Sequence, residues 1–271
     1  MISFPSCKIN LGLNVVGKRT DGFHNLETIF FPVPLQDALE IIPAPNRRFQ
    51  FSSTGLDIPG EQENNLCIKA FNLLRADFKL PPVHMHLHKV IPVGSGLGGG
   101  SSDGAVTLKL LNELFSLALD AEKLKNYARL LGSDCAFFID NIPVFGYERG
   151  DSFEPFSVDL AGLFIALVIP PIHVSTAEAY ALVVPEIPQR SLKELVRLPV
   201  KEWKDCVVND FEAPLTKKYP SIGMIGQKLY QAGALFASMS GSGSAVFGLF
   251  EEIPELRSLF PDSFVWTSQP L

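Results

Sequence analysis

Residues 92–103 read P-V-G-S-G-L-G-G-G-S-S-D, and this stretch decides the fold. A strand-like run at 83–90 precedes it, and a helical pattern at 103–117 follows it. Glycines let backbone N–H groups turn towards a ligand, because no Cβ stands in the way. Unpaired N–H groups at a helix N-terminus attract anions. The stretch therefore predicts a loop that binds phosphate.

Three other interpretations of the glycine loop fit less well. Gly94, Gly96 and Gly99 match G-x-G-x-x-G, but a dinucleotide site also needs an early β-α-β unit with an acidic residue ending its second strand. Here a second helix follows the first. A Walker-type loop needs lysine and then serine or threonine after its last glycine, whereas Ser101 and Ser102 stand there. A flexible linker is not expected between a strand and a helix.

The composition is that of an ordinary globular protein. Of the 271 residues, 46% are hydrophobic and 19% are charged, which suits two modest domains. A net charge of -6 without a basic run argues against a nucleic-acid partner. Residues 1–5 show no signal-peptide pattern, and the apolar run at 163–172 is too short to span a membrane. Four widely spaced cysteines without C-x-x-C predict reduced, mostly buried thiols in a cytoplasmic protein.

Hydrophobic patterning predicts mixed strands and helices. Residues 7–16 alternate, so that Lys8 and Asn10 share the polar face of a strand whose other face is buried. A turn at 17–22 leads to a strand from Phe23 to about residue 31. Further strands are predicted at 38–42, 49–52, 83–90, 144–147, 163–169, 235–239, 245–250 and 264–267. Helices are predicted after the cap Asn65, at 103–117, at 121–131, after Ser175 or Thr176, and at 220–232, with a surface excursion at 185–199.

Two features each have a chemical and a structural interpretation. His84, His86 and His88 lie on one strand face and either bind a metal or form a wet face. We favour the wet face, because no carboxylate or cysteine joins them nearby. Asp134 follows a helix end and precedes an apolar run. It is either a semi-buried carboxylate that can act as a base, or a simple turn aspartate.

Three segments resemble the motifs of the GHMP kinase superfamily, a group of ATP-dependent small-molecule kinases. They are K-I-N-L-G-L-N-V at 8–15, P-V-G-S-G-L-G-G-G-S-S at 92–102 and S-G-S-G-S-A-V-F at 240–247. The resemblance implies an α+β protein with the GHMP kinase fold. An N-terminal ATP-binding domain (1–155) would resemble the second domain of ribosomal protein S five, with a left-handed β-α-β crossover. A ferredoxin-like C-terminal domain (156–271) would lie on the substrate side, with both ligands in the cleft between the domains.

Further segments narrow the resemblance. K-R-T-D-G-F-H at 18–24, G-S-D at 132–134 and V-S-T-A-E-A-Y at 174–180 resemble kinases that act on a cytidine-diphosphate-linked methylerythritol in the non-mevalonate route to isoprenoid precursors. The resemblance implies a transferase that uses ATP and Mg²⁺ to phosphorylate the 2-hydroxyl of this small-molecule substrate. No residue of the chain is assigned as a metal ligand. No nucleic-acid or membrane partner is expected, and a monomer or weak homodimer is expected.

The resemblance also implies catalytic and substrate-binding roles. Asp134 would remove the proton of the substrate hydroxyl, and Lys8 would keep Asp134 ionised and help neutralise the γ-phosphate. Asn10 and Thr176 would contact the diphosphate or the erythritol portion of the substrate.

For the two nucleotide groups the resemblance implies separate contacts. Phe23 and Tyr180 would sandwich the cytosine, and His24 would hydrogen-bond to it. By position, Asn64, Asn65 and Lys89 are possible adenine contacts. The ATP phosphates would be wrapped by Pro92, Val93, Gly94, Ser95, Gly96, Leu97, Gly98, Gly99, Gly100, Ser101 and Ser102.

The sequence departs from the pattern of this narrower kinase family at three places. Phe23 stands where tyrosine is usual, so a hydroxyl contact is lost but the stacking face is kept. Cys135 and Ala136 replace a usual valine and proline, which leaves that loop freer. Asp103 stands where asparagine is common, and it would add negative charge near the phosphates. Two alternatives stay open: a kinase of the same superfamily for homoserine, mevalonate or a sugar, and a nucleotide-binding protein without catalysis.

Overall fold

The computed structural model describes residues 1–46 and 48–271. Its strands are β1 (Ile2–Ser3), β2 (Ser6–Lys18), β3 (His24–Gln36), β4 (Ala38–Pro43), β5 (Gln50–Gly55), β6 (Val83–Lys89), β7 (Val144–Tyr147), β8 (Ser152–Pro155), β9 (Phe164–Ile169), β10 (Phe236–Met239), β11 (Val246–Phe250) and β12 (Phe264–Thr267). Its α-helices are α1 (Leu66–Phe78), α2 (Gly99–Leu114), α3 (Ala121–Leu131), α4 (Phe137–Asp140), α5 (Thr176–Leu182), α6 (Leu192–Leu195), α7 (Glu212–Lys218) and α8 (Pro220–Gln231). Short 3-10 helices lie at Gln62–Asn64, Ser133–Ala136 and Val200–Asp205.

The first of two compact units comprises Met1–Cys7, Pro34–Val93 and Gly98–Ile142. Its sheet has the order β1-β4-β6-β5, in which only the β5–β6 pair of the described strands is parallel. α1 packs against α2, and α3 packs against both. The apolar residues of β4 and β6 alternate into the core, where Leu39 and Leu87 are fully buried.

The histidines of β6 lie on its other face and contact β5. The hydroxyl of Thr54 lies 3.0 Å from His86 Nε2 and 3.0 Å from His88 Nδ1. Ser52 Oγ lies 2.9 Å from His86 Nδ1. Among the described residues, no group of three histidine, cysteine, aspartate or glutamate side chains is arranged to hold a metal. The three histidines therefore form part of a polar sheet face.

The second compact unit comprises Lys8–Val33, Gly94–Leu97 and Pro143–Leu271. It contains one sheet with the order β2-β3-β7-β8 and another with the order β10-β11-β9-β12. α8 begins at Pro220, as the sequence predicted, and packs on β10 and β11. Its apolar face joins a core that includes Ile222, Leu229 and Phe250. Within the described part of the chain, no helix is long and apolar enough to cross a bilayer.

Several predicted boundaries are correct and one important boundary is wrong. β7, β12 and α3 have the predicted bounds, and Asp120 and Asn65 cap their helices as expected. The helix predicted at 103–117 instead covers Gly99–Leu114. Gly98 has a φ of 71°, which ends the loop there and allows the last residues of the glycine stretch to form the first helical turn.

Other differences arise where local patterns are weak. β3 begins at His24 and continues to Gln36, past the predicted end at residue 31. β8 and α7 were not predicted, and they are short, with four residues in β8 and seven in α7. The proline-rich stretch 185–199 was expected to be a surface excursion, but it contains α6, which buries Leu192 and Leu195. Short elements depend on tertiary packing more than on local propensity.

Candidate functional site

Lys8 and Asn10 lie on one face of β2, as the alternation predicted. The Lys8 ammonium donates hydrogen bonds to Asn10 Oδ1 at 2.6 Å and to the carbonyl of Gly96 at 3.0 Å. The face is not solvated, however, because Lys8 is 3% and Asn10 2% exposed. A buried ammonium group must be hydrogen-bonded, and these two acceptors help to satisfy this requirement. β2 therefore places a hydrogen-bonded ammonium group in the interior of the second unit.

Two glycine loops meet beside Lys8. The first is residues 94–97, and the second is residues 240–244. Ala245 N donates to the Ser95 carbonyl at 3.0 Å, and Ser240 Oγ donates to the Gly96 carbonyl at 3.1 Å. Gly96 has a φ of 82°, and a Cβ built there would overlap the carbonyl oxygen of Ser240. The close approach of the two loops therefore requires glycine at residue 96.

Replacing Gly96 with alanine is expected to lower the free energy of unfolding by about 2–5 kcal/mol, because the new Cβ adds both a left-handed-backbone penalty and a steric overlap. Thermal or urea unfolding measures the loss. Gly100→Ala is the matched control, since nothing lies within 4 Å of a Cβ at that helical residue. Equal stability of the two variants would contradict the proposed contact.

The N-terminus of α2 is suited to an anion. The first turn of a helix carries N–H groups without intrahelical partners, and the helix dipole adds positive potential. Ser102 is 1% exposed, and its hydroxyl has no hydrogen-bond partner within the described residues. Gly100 has open space where a side chain would stand. The predicted phosphate-binding stretch therefore offers backbone amides, one unpaired hydroxyl and room for a ligand, which fits the phosphates of ATP.

Asp103 does not add free negative charge to this helix terminus, contrary to the expectation from its sequence. Its carboxylate lies 2.7 Å from the ammonium group of Lys89, which also lies 2.5 Å from Asp37. Burial raises the pKa of Asp103 to about 7, against the attraction of Lys89. Burial opposes the charge on Lys89, but the two carboxylates outweigh it and raise the pKa of the ammonium group.

Two of the three possible adenine contacts, Lys89 and Asn65, are bound to other groups of the protein. Lys89 is 2% exposed and bound by two carboxylates, so its ammonium group is committed to the core of the first unit. Asn65 Oδ1 accepts a hydrogen bond from Cys67 N at 2.8 Å and caps α1. Both side chains therefore have structural roles, of which the sequence indicated only the cap formed by Asn65.

Asp134 lies in the 3-10 helix Ser133–Ala136, directly after Gly132, which ends α3. It is half-buried, which agrees with one of the two interpretations that the sequence left open, and the five residues after it are buried. Burial raises the pKa of the neighbouring Cys135 thiol to about 12. Cys135 is therefore protonated at neutral pH and packs as a small apolar residue. Of these two neighbouring groups, Asp134 is the one whose residue is partly exposed to solvent.

The aromatic residues predicted to bind a base form three contacts in the second unit. The rings of His24 and Tyr180 are stacked with centroids 4.9 Å apart and planes 17° apart. Tyr180 also meets Phe211 edge-on at 4.9 Å. Phe23 is 51% exposed, and the centroid of its ring lies 4.2 Å from the guanidinium carbon of Arg149. The sandwich of a cytosine between Phe23 and Tyr180 stays a prediction.

Thr176 lies beside the second glycine loop. It is the first residue of α5, and its hydroxyl lies 3.3 Å from Ser242 Oγ. Ser175, rather than Thr176, caps the helix by accepting a hydrogen bond from Glu178 N at 3.1 Å. The side chain of Thr176 is therefore near the loop that also contacts Gly96.

Some residues that contact the predicted site residues were not identified from the sequence. Asn209 Nδ2 donates to the carbonyls of Met239 at 2.8 Å and Gly241 at 2.9 Å, which holds the second glycine loop. Thr28 accepts a hydrogen bond from Asn10, and Arg149 covers Phe23. These residues stand in no motif of their own, so only their contacts reveal them.

The chain matches two protein-family models. Residues 65–148 match the GHMP kinases N terminal domain, and residues 184–258 match the GHMP kinases C terminal domain. The structure accordingly has the α+β fold of that family, as the sequence predicted.

Similar proteins cover nearly the whole chain. A 4-diphosphocytidyl-2-C-methyl-D-erythritol kinase of Parabacteroides distasonis is 51% identical over 99% of both chains. A protein of the same name from Bacteroides fragilis is 53% identical over 92% of both chains. A crystal structure of a 4-(cytidine 5'-diphospho)-2C-methyl-D-erythritol kinase superposes with a TM-score of 0.84 at 29% identity, covering 98% of both chains.

Proposed function

The chain belongs to the 4-diphosphocytidyl-2-C-methyl-D-erythritol kinases of the GHMP kinase family, and from this premise we propose that it transfers the γ-phosphate of ATP to the 2-hydroxyl of that alcohol. The names of the relatives support the substrate. The observation that carries the chemistry is the buried Lys8 ammonium, held by Asn10 and the Gly96 carbonyl where two glycine loops meet.

Phosphoryl transfer requires in-line positioning and neutralisation of charge more than covalent help from the protein. Backbone amides of the first glycine loop and the N-terminus of α2 bind the phosphates. Lys8 supplies a fixed positive charge to the transferring group. Asp134 accepts the proton of the attacking hydroxyl, as a half-buried carboxylate on a short helix is suited to do.

In this proposal Mg²⁺ binds together with the phosphates of ATP. Mg²⁺ is usually held by substrate phosphates together with few protein oxygens, and the unpaired Ser102 hydroxyl would be available as one such oxygen at the predicted phosphate site. When bound, the ion neutralises phosphate charge. The residues of the chain position the phosphates and the hydroxyl.

Phe23, His24 and Tyr180 recognise the cytosine in this proposal, and Asn10 and Thr176 contact the diphosphate or the erythritol portion. Phe23 presents an exposed ring, and the guanidinium group of Arg149 lies over that ring. His24 and Tyr180 are held together by stacking, so a base that enters must use their outer faces or separate them.

Replacing Phe23 with alanine is expected to raise the KM for the cytidine-linked alcohol about 5- to 150-fold, because stacking on a base contributes about 1–3 kcal/mol. The kcat should change little, since the ring is assigned to binding and not to chemistry. His24→Ala should also raise this KM through loss of a hydrogen bond. Steady-state kinetics measure both variants.

The KM for ATP is the internal control for these two variants, because neither residue is assigned to ATP. A second control is Tyr147→Ala, which removes an aromatic ring from β7 that is 39% exposed. An unchanged KM for the alcohol in Phe23→Ala would remove Phe23 from the cytosine site.

We also propose the division into an ATP-binding domain (1–155) and a substrate-side domain (156–271). Matches to an N-terminal model at 65–148 and a C-terminal model at 184–258 support a boundary between them. We further propose that the protein is cytoplasmic and acts as a monomer or weak homodimer.

The reaction is tested by release of ADP from ATP and Mg²⁺ with a panel of alcohols. The panel holds the diphosphocytidyl alcohol, the same alcohol without cytidine, homoserine, mevalonate and galactose. Turnover with the diphosphocytidyl alcohol alone is the expected result. Turnover with another member would make the chain a different small-molecule kinase. ATP binding without turnover would indicate a nucleotide-binding protein.

A further inference from the structure

We infer that Thr28 is a positioning residue for Lys8, acting through the side-chain amide of Asn10. The inference rests on the proposed function for the role of Lys8, but not for the geometry. Thr28 is fully buried in β3, and Asn10 and Lys8 lie on β2, which neighbours β3 in its sheet.

The direction of the hydrogen bonds follows from the number of protons on a hydroxyl. Thr28 Oγ1 lies 2.6 Å from the carbonyl oxygen of Gly12, which can only accept. A hydroxyl carries one proton, so Thr28 must donate it to Gly12. Towards any other neighbour, the Thr28 oxygen can only accept.

This constraint fixes the orientation of the Asn10 amide. Asn10 lies 2.9 Å from Thr28 Oγ1, and it must be the donor in that contact, so its NH₂ group faces Thr28. Its carbonyl oxygen then faces the opposite way, 2.6 Å from the Lys8 ammonium. Lys8 can only donate, so both ends of the amide agree. The chain Gly12–Thr28–Asn10–Lys8 therefore has one consistent direction.

Without the Thr28 hydroxyl, this direction is lost. The Asn10 amide would face a methyl group at one end and could rotate to place its NH₂ group beside the ammonium, where it repels the charge. Lys8 would keep the Gly96 carbonyl at 3.0 Å as an acceptor but would be held less rigidly. A displacement of a charged group by a fraction of an ångström reduces its effect on a transition state.

The geometry is tested with Thr28→Val and Thr28→Ser. Valine keeps the size and the methyl group that packs near Gly146, but it lacks the hydroxyl. Serine keeps the hydroxyl. We expect Thr28→Val to lower kcat about 10- to 100-fold, as losses of outer partners of functional side chains do. The Kd for ADP should change less than about threefold, and Thr28→Ser should restore most of kcat.

A double-mutant cycle with Asn10 separates positioning from general destabilisation. If Thr28 acts through Asn10, Asn10→Ala/Thr28→Val should have the kcat of Asn10→Ala alone. Thr107→Val is the matched control, because Thr107 is also fully buried and its hydroxyl donates to a backbone carbonyl, that of Asp103, at 2.8 Å. Its kcat should stay within about twofold of wild type. A full additional loss in the double variant, or unchanged kcat in Thr28→Val, would overturn the inference.

A measurement without turnover distinguishes failure of this inference from failure of the proposed function. The ¹⁵N-labelled side-chain amide of Asn10, identified by its absence in Asn10→Ala, should exchange slowly with solvent in wild type. It should shift and exchange faster in Thr28→Val but not in Thr107→Val. Wild-type protein that fails to phosphorylate the alcohol would overturn the proposed function, whereas an amide signal indifferent to Thr28→Val would overturn the inference itself.

Discussion

Asp134→Asn is expected to lower kcat by a factor of about 10²–10⁴, because the amide cannot accept the proton of the attacking hydroxyl. The variant keeps the size of the side chain and its place in the 3-10 helix after Gly132. Binding of ATP should persist, since the phosphates are assigned to the glycine loop and the N-terminus of α2. Steady-state kinetics with the diphosphocytidyl alcohol measure the loss, and calorimetric titration with a non-hydrolysable ATP analogue measures binding.

Asp140→Asn is the matched control for this experiment. Asp140 is also a carboxylate in the first unit, six residues further on, and it pairs with Lys125 at 2.7 Å near the surface. A partly exposed ion pair contributes little, so this variant should stay within about twofold of wild type. An Asp134→Asn enzyme with kcat within tenfold of wild type would exclude Asp134 as the base.

The second large effect concerns Lys89. Lys89→Met is expected to lower the free energy of unfolding by about 3–5 kcal/mol, because it leaves the carboxylates of Asp37 and Asp103 buried without their counter-ion. Asp37 is fully buried and Asp103 is 3% exposed. Urea unfolding at pH 8 measures the loss. Since the site is closed to solvent, added salt should not restore the stability.

Asp103→Asn removes the charge of this carboxylate and is therefore the control. The difference in stability between this variant and wild type should depend on pH. The pKa of Asp103 in the folded protein is raised to about 7 from an ordinary value of 3.8, so the folded state binds this proton more tightly than the unfolded state. The resulting stabilisation is fully present below about pH 4 and is lost as the pH rises through about 7. Relative to Asp103→Asn, wild type should therefore lose stability between pH 5 and pH 8.

The stability of Lys89→Met relative to wild type should also fall as the pH rises. Its loss of stability should be smaller at pH 5 than at pH 8, because the buried carboxylates can take up protons when the lysine is absent. Asp103→Asn keeps the pair between Lys89 and Asp37 and should be at least as stable as wild type at pH 8. A Lys89→Met loss that is equal at both pH values would place the effect in packing and not in charge.

The sequence alone determined the elements with strong local signals. Alternation placed Lys8 and Asn10 on one face of β2, and capping residues located α1 and α3. The glycine stretch predicted a phosphate loop, because positive φ values and helix N-termini have a recognisable composition. The order of three motifs was enough to indicate the family, and the comparisons confirm it.

Only the tertiary structure decided how the polar residues are neutralised. Asp103 was expected to add negative charge near the phosphates, but it pairs with Lys89, 14 residues away along the chain, which also pairs with Asp37, 66 residues from Asp103. Gly96 must be glycine because Ser240 lies against it, and Thr28 matters because its one proton goes to Gly12. Local patterns encode which face of an element is apolar. They do not encode which distant acceptor a buried donor meets, because that partner is brought near only by folding.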